Sequence, residues 1–132
     1  MIHEIRCLYN RETPKGEIKP VSELYLYDAD LVSQCEVRIL EEIPECEVTS
    51  VCRSKIIEIV NPNIVEGSYY KAKITETTVN DEGNESSRSY QVLCNADSLP
   101  RATEIFQEYL KQGLNDMSLD SITKTKIVDI LT

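Results

Sequence analysis

Basic side chains at alternate positions of predicted β-strands are the strongest signal for function in this sequence. Alternate residues of a strand point to the same side of a sheet, and lysine and arginine bind phosphate. The basic residues with this spacing are Arg53, Lys55, Lys71, Lys73, Lys124 and Lys126. Aromatic rings occur nearby at Tyr25, Tyr27, Tyr69 and Tyr90, and we take the first three as stacking candidates. Cations beside aromatic rings are typical of surfaces that bind single-stranded nucleic acid, so we predict such a surface here.

The acidic residues of the same strands allow a second interpretation. Glu4, Glu23 and Glu76 could form cross-strand ion pairs with these cations and leave an ordinary solvated face. The net charge of −9 argues against binding nucleic acid through bulk charge, so the cations could act only as a local patch. The alternative function is a protein-interaction or accessory module that binds a host factor without contacting nucleic acid.

The sequence contains no constellation that predicts catalysis. Glu58 and Asp129 are lone acids at equivalent positions of two apolar strands and could form a two-carboxylate site. We favour solvent-facing or ion-paired acids, because a buried unpaired carboxylate is costly. With His3 as the single histidine and only four glycines, neither a zinc site nor a phosphate-binding loop is indicated. We therefore expect no enzyme, no metal and no cofactor.

Composition indicates one ordinary globular domain. The chain has 132 residues, of which 41% are hydrophobic and 28% charged, close to the globular norm. No apolar run is long enough for a membrane span, and the first residues do not resemble a signal peptide. The five cysteines are an odd set without a Cys-x-x-Cys pair, which favours reduced thiols. We predict a cytoplasmic protein that does not contact a membrane.

Two segments of the chain repeat each other. Residues 50–60 align with residues 121–131 at an offset of 71, with Lys55 matching Lys126. Upstream the offset is 67 and pairs Ala29 with Ala96, Leu26 with Leu93, Gly16 with Gly83, and Arg6 with Lys73. The difference of four residues equals about one helical turn. A constant offset that shifts once by a turn predicts an internal duplication, with repeat one at 1–62 and repeat two at 63–132.

Each repeat is predicted to be a β-β-α-β unit. In repeat one the strands run from Glu4 to Asn10, Val21 to Tyr27 and Val48 to Val60, with a helix capped by Ser33 and ended by Pro44. In repeat two they run from Ser68 to Thr78, Ser87 to Leu93 and Leu119 to Leu131, with a helix that begins near Ser98 and has Gly113 as C-cap. Asn61-Pro62-Asn63 would link the repeats. We predict a single compact α+β domain over 1–132, with mainly antiparallel sheet, the first strand of each unit in the middle, one helix per repeat and a pseudo-twofold arrangement.

The third strands are apolar on both faces near their ends. Ile56-Ile57 and Ile59-Val60 do not alternate with polar residues, nor do Ile127-Val128 and Ile130-Leu131. Such strands are usually covered on both sides. We expect the second cover to be the partner repeat or another chain, which makes a homo-oligomer through these strands a possible assembly.

Three segments carry a family resemblance: Tyr27-Asp28-Ala29 before an acidic helix, Tyr70-Lys71-Ala72-Lys73-Ile74, and residues 125–130, Thr-Lys-Ile-Val-Asp-Ile. Over nearly its whole length the chain resembles a small uncharacterised family of Bacteroidetes and their phages, the domain of unknown function numbered 4494. Ala72 stands where the family pattern has cysteine. The resemblance implies a cytosolic protein encoded by a phage or mobile element, and it supplies no activity and no catalytic residue.

Overall fold

The computed structural model describes residues 1–61, 67–113 and 116–132. Of the predicted linker, Pro62 and Asn63 lie outside the described residues. The elements are β1 (Ile2–Glu12), β2 (Ile18–Asp28), α1 (Val32–Glu42), β3 (Glu47–Arg53), β4 (Ile56–Ile59), β5 (Ser68–Val79), β6 (Glu85–Ala96), α2 (Leu99–Lys111), β7 (Asp116–Lys124) and β8 (Ile127–Leu131). They form two four-stranded mixed sheets and two helices, which confirms the α+β class. The chain divides into two compact units, residues 1–54 with 126–132, and residues 55–125.

The first unit holds the sheet β3-β1-β2-β8. β1 is antiparallel to both β2 and β3, whereas β8 adds to β2 in parallel. The first strand of the β-β-α-β pattern therefore lies between the other two, as the pattern predicts. Helix α1 packs against β1 and β3 on one face of this sheet.

Hydrophobic periodicity explains the core of the first unit. Ile5 and Cys7 alternate along β1 with more exposed residues, and both are fully buried. Cys35 and Ile39 are four residues apart on α1 and form its buried stripe. These side chains pack together in one cluster with Tyr25 of β2. Burial of the alternating face against the helical stripe fixes which side of the sheet α1 covers.

The second unit repeats this architecture with the sheet β4-β6-β5-β7. β5 lies between its antiparallel partners β6 and β7, and β4 adds to β6 in parallel. Ala72 and Ile74 of β5, Val92 of β6, and Ala102 and Phe106 of α2 are all buried in one cluster. The helix therefore covers the face of β5 that carries the even-numbered residues.

Glycine allows the turn of each hairpin. Gly16 has a φ of 81° and donates its N–H to Thr13 O at 2.9 Å. Gly83 has a φ of 82° and donates its N–H to Asn80 O at 3.0 Å. Residues with a Cβ rarely adopt a positive φ. Glycine has no Cβ, so it closes these turns with little conformational strain.

The two predicted third strands are each interrupted, and the prediction of continuous strands was wrong. β3 ends at Arg53 and β4 begins at Ile56, while β7 ends at Lys124 and β8 begins at Ile127. β4 belongs to the sheet of the second unit and β8 to the sheet of the first. Residues 55–61, assigned to repeat one by sequence, therefore lie in the second unit, and residues 126–132 lie in the first.

The interruption occurs where the pairing partner begins. Ser54 N–H donates to Ile2 O, at the first residue of β1, and Thr125 N–H donates to Tyr69 O, near the start of β5. β1 begins at Ile2 and β5 at Ser68, so at most one further residue of the partner strand lies beyond these bonds. The following apolar segments pair with β6 and β2 instead, and Ile56 and Ile127 are buried there.

The start of α1 differs from the prediction. The N-cap is Leu31 rather than Ser33, so the helix begins before the predicted cap. Gln34 Oε1 accepts the backbone N–H groups of Asp30 and Leu31, both at 3.0 Å. The side chain three residues into the helix therefore satisfies free amides that Ser33, already inside the helix, cannot reach.

The start of α2 agrees with the prediction and its end does not. Ser98 is the N-cap, and its Oγ accepts the Arg101 N–H at 3.4 Å. The C-cap is Gln112 rather than Gly113, which does not adopt a positive φ. Neither α1 nor α2, the helices of the described ranges, is long and apolar enough to cross a membrane.

Candidate nucleic-acid interface

Lys71 and Lys73 lie on the sheet face of the second unit that is opposite α2. Their neighbours Tyr70, Ala72 and Ile74 are buried in the cluster with that helix. Alternation along β5 therefore directs Tyr69, Lys71 and Lys73 to the other face. Lys73 is exposed, whereas Lys71 and Tyr69 are half-buried. The two lysines predicted to share one side of this strand do so.

Lys55 borders the same face. It lines a depression of about 600 Å³ together with Lys73, Ser89 and Gln91. Gln91 and Ser89 are the residues of β6 beside Lys73 and Thr75 of β5. Two of the predicted cations thus meet at one open site. We call Lys55, Lys71, Lys73 and Tyr69 the lysine face.

A row of hydroxyl groups continues the lysine face along the hairpin. Thr75 Oγ1 lies 3.3 Å from Ser89 Oγ, and Thr77 Oγ1 lies 3.3 Å from Ser87 Oγ. Asp120 of β7 accepts the Thr75 hydroxyl, and this hydrogen bond lowers the pKa of its carboxyl, with a smaller effect from the charge of Lys73. The face is therefore polar and carries cations, and two carboxylates of β7 border it, Asp120 and Asp116 opposite Thr77.

None of the six predicted cations forms an ion pair within residues 1–61, 67–113 and 116–132. The carboxylates proposed as their partners have other contacts. Glu23 pairs with Arg11 at 2.7 Å and Glu76 with Arg88 at 3.3 Å. Glu4 accepts the Cys52 thiol at 3.7 Å. The predicted ion pairs between these acids and the six cations are therefore not formed among the described residues, and Glu23 and Glu76 pair instead with arginines of the opposite strand of their hairpins.

The structure does not gather the remaining cations on the lysine face. In the strand register Arg53 lies opposite His3, and Lys124 lies opposite Tyr70. Both cations therefore lie on the helix-covered faces of their sheets. Arg53 and Lys126 belong to the first unit, whereas Lys55 and Lys124 belong to the second. The predicted alternation across each third strand was wrong because each strand is interrupted between its two basic residues.

Two of the three predicted stacking residues also point elsewhere. Tyr25 is buried in the first unit, and its hydroxyl donates to Glu23 Oε2 at 2.5 Å. Tyr27 is half-buried and packs against the same core. Both therefore lie on the face covered by α1. Of the three, Tyr69 is the one on the face of Lys71 and Lys73, whereas Tyr25 and Tyr27 share the α1-covered face with Arg53.

A buried polar cluster in the first unit was not anticipated. Glu23 accepts hydrogen bonds from Tyr9, Tyr25 and Arg11, and the Arg11 guanidinium lies over the Tyr9 ring. Burial, followed by the hydrogen bond to Glu23, raises the pKa of Tyr25. The signal was present in sequence, since Tyr9 and Arg11 alternate on one strand and Glu23 and Tyr25 on its hairpin partner.

Glu58 and Asp129 do not form a shared carboxylate site within either unit. Glu58 belongs to the second unit and accepts the Tyr109 hydroxyl at 2.7 Å. Asp129 belongs to the first unit, where its Oδ1 accepts the Ile130 N–H at 2.8 Å. Each acid thus has a local hydrogen-bonding role.

The five cysteines differ in exposure. All five are free, and only Cys52 is exposed. Burial raises the pKa of Cys7 and of Cys94 to about 11, so both are protonated at neutral pH. Among the described residues, no three His, Cys, Asp or Glu side chains are grouped so as to hold a metal ion.

Comparison with known proteins places the chain in a family. The model of the domain of unknown function DUF4494 matches residues 1–132, so the chain belongs to this family. No curated protein and no solved structure matches the chain.

Proposed function

We propose that this protein is a non-enzymatic binding module that contacts single-stranded nucleic acid through the lysine face of its second unit. The observation that carries the proposal is that Lys55 and Lys73 line the same open depression. Neither lysine has an ion-pair partner among the described residues. Unpaired ammonium groups on an open sheet face suit phosphate oxygens.

The composition of this face favours contact with the backbone over reading of bases. The Thr75 hydroxyl donates to Asp120 and lies 3.3 Å from the Ser89 hydroxyl, so Lys55 and Lys73 supply the donors for phosphate on this face. Tyr69 is the stacking candidate on this face, and a single ring gives little sequence preference. The proposed ligand is therefore a flexible single strand held with low sequence specificity.

Salt-dependent binding tests this function. Fluorescence anisotropy with labelled single-stranded and double-stranded DNA and RNA should give binding to single strands that weakens as salt rises. The double variant Lys55→Glu, Lys73→Glu should weaken binding to single strands at least about tenfold, since two attractive phosphate contacts become repulsive. Lys19→Glu, on the hairpin of the first unit, is the matched control and should have little effect. Binding whose affinity does not change with salt concentration, or an equal loss of affinity in both variants, would contradict the proposal.

A protein-interaction module that can self-associate is the second candidate. Ile57 on β4 and Val128 on β8 are 56% and 48% exposed, and both strands lie at the edges of their sheets. Edge strands with exposed apolar side chains are templates for pairing with another chain. Light scattering over a concentration series should then show a dimer. The double variant Ile57→Lys, Val128→Lys should remain a monomer.

We also propose that the two units descend from one duplicated β-β-α-β unit. Supporting this, Tyr9 and Glu76 are 67 positions apart, as are Glu23 and Tyr90. A tyrosine and a glutamate thus occupy equivalent hairpin positions with their strands exchanged. The family resemblance further implies a cytoplasmic protein encoded by a phage or mobile element.

A further inference from the structure

Two exposed apolar side chains lie on the outer side of helix α1. Val37 is 60% exposed and Leu40 is 42% exposed, on the side of the helix away from the buried Cys35 and Ile39. The two residues are three apart and lie next to each other on the helix surface. An exposed apolar pair on the outer face of an amphipathic helix contributes nothing to the core and favours contact with another molecule.

The second helix lacks this feature. At the offset of 67 residues, Val37 corresponds to Glu104 and Leu40 to Gln107, and both are exposed on α2. The same outward positions are thus polar in one helix and apolar in the other. The apolar pair is therefore not required by this architecture.

Carboxylates surround the apolar pair. A depression of about 630 Å³ beside Val37 is lined by Asp30, Ser33 and Glu41. Glu36 is exposed on the same helix. Arg38, the one cation of α1, already donates to Glu42 Oε2 and to Thr132 O, each at 3.1 Å. Among the described residues, Asp30 and Glu41 form no ion pair.

We infer that the outer face of α1 docks a basic amphipathic segment of another protein, with apolar side chains on Val37 and Leu40 and separate lysines or arginines beside Asp30 and Glu41. Charge complementarity selects this occupant. A second copy of the chain would bring like-charged carboxylates together, because the same acidic helix would face itself. The surface lies in the first unit and is separate from the lysine face.

A synthetic peptide tests the chemistry of the occupant. The probe is a labelled helical peptide with leucine on one face and lysine on the other. A leucine–glutamate peptide of the same pattern and an all-lysine peptide are the comparisons. Anisotropy should give binding of the leucine–lysine peptide, with amide chemical-shift changes concentrated in α1. Equal binding of the all-lysine peptide would overturn the inference, since apolar contact would then play no part.

Matched variants test the site. Val37→Gln with Leu40→Gln should weaken the leucine–lysine peptide about tenfold or more, because two apolar contacts are lost without a change of charge. Leu99→Gln, at an apolar residue of α2 that is equally exposed, should leave binding unchanged. Asp30→Asn with Glu41→Gln should also weaken binding, and Glu104→Gln with Glu108→Gln on α2 should not.

Two further results would overturn the inference. Peptide affinity unchanged in the Val37→Gln, Leu40→Gln protein would remove α1 as the site. Self-association of the unmodified protein that this double substitution abolishes would assign the surface to a second copy. Circular dichroism would verify that each variant is folded, as expected for exposed helix positions where glutamine is a good helix former.

Discussion

Tyr109 donates its hydroxyl hydrogen to Glu58, 2.7 Å away, and this contact joins helix α2 to the edge strand β4 of the second unit. Burial, followed by the hydrogen bond to Glu58, raises the pKa of Tyr109. The carboxylate that most resembled a catalytic acid in the sequence thus serves as an acceptor for a structural tyrosine.

Removing this hydroxyl should destabilise the protein modestly. Tyr109→Phe is expected to lower the free energy of unfolding by about 1 kcal/mol, the usual contribution of one hydrogen bond near the surface. Urea denaturation followed by circular dichroism measures the change. Glu58→Gln keeps an acceptor oxygen and should cost less than Glu58→Ala. Equal stability of all these variants and the unmodified protein would mean that the contact contributes nothing.

The buried acid of the first unit should matter more. Glu23 is 8% exposed and accepts three hydrogen bonds, so Glu23→Ala leaves two tyrosine hydroxyls and a guanidinium without their partner. We expect a loss of about 2–3 kcal/mol in urea denaturation. Glu17→Ala removes an exposed pair with Lys19 and should cost less than about 0.5 kcal/mol. Similar losses for both would contradict the assignment of Glu23 to a buried network.

Stability should fall at alkaline pH. The pKa values of Tyr9, Tyr25, Tyr90 and Tyr109 are raised from 10.0 in the folded chain. The folded state therefore retains protons that the unfolded state loses above pH 10. The stabilisation is complete below pH 10 and is lost as pH rises towards the folded values, by up to about 1.4 kcal/mol per pH unit for each such tyrosine.

Ultraviolet titration of phenolate formation tests the tyrosine prediction. A subset of the seven tyrosines should ionise only well above pH 10, and Tyr25→Phe should remove one of them. Ionisation of all seven in one step near pH 10, in protein that remains folded, would be the contrary result.

Thiol labelling should single out one cysteine. Cys52 is exposed and the other four cysteines are buried, with the pKa values of Cys7 and Cys94 raised to about 11. A maleimide at neutral pH should therefore label the folded protein once, and the Cys52→Ser variant should react only after unfolding. Mass spectrometry counts the labels, and rapid modification of a second cysteine would contradict the burial of these thiols.

Local periodicity predicts most of the fold. Alternation in β1, the positive-φ glycines of the hairpins and the helical stripe at Cys35 and Ile39 each reflect interactions between near neighbours in sequence. The interruptions near Ser54 and Thr125 could not be predicted in this way. They depend on where β1 and β5 begin, since each interruption lies opposite the first residues of its partner strand.

The candidate interface was predictable only within one strand. Lys71 and Lys73 share a face because they are two positions apart on β5, which is one full period of strand alternation. Arg53 and Lys124 depend on the pairing register with β1 and β5, and no pattern within their own strands specifies it. The arginines that form ion pairs with Glu23 and Glu76 likewise come from the opposite strand of each hairpin.

The sequence by itself determined the α+β class, the order of the two hairpins and the two helices, the family and the apolar character of the residues that became β4 and β8. Tertiary structure decided which sheet these strands join, which cations meet, and that Glu58 has a tyrosine partner. The physical reason is the separation along the chain of the residues that interact. Hydrophobic alternation and turn chemistry act between residues close in sequence, whereas strand pairing and ion pairing depend on contacts between residues far apart in the chain.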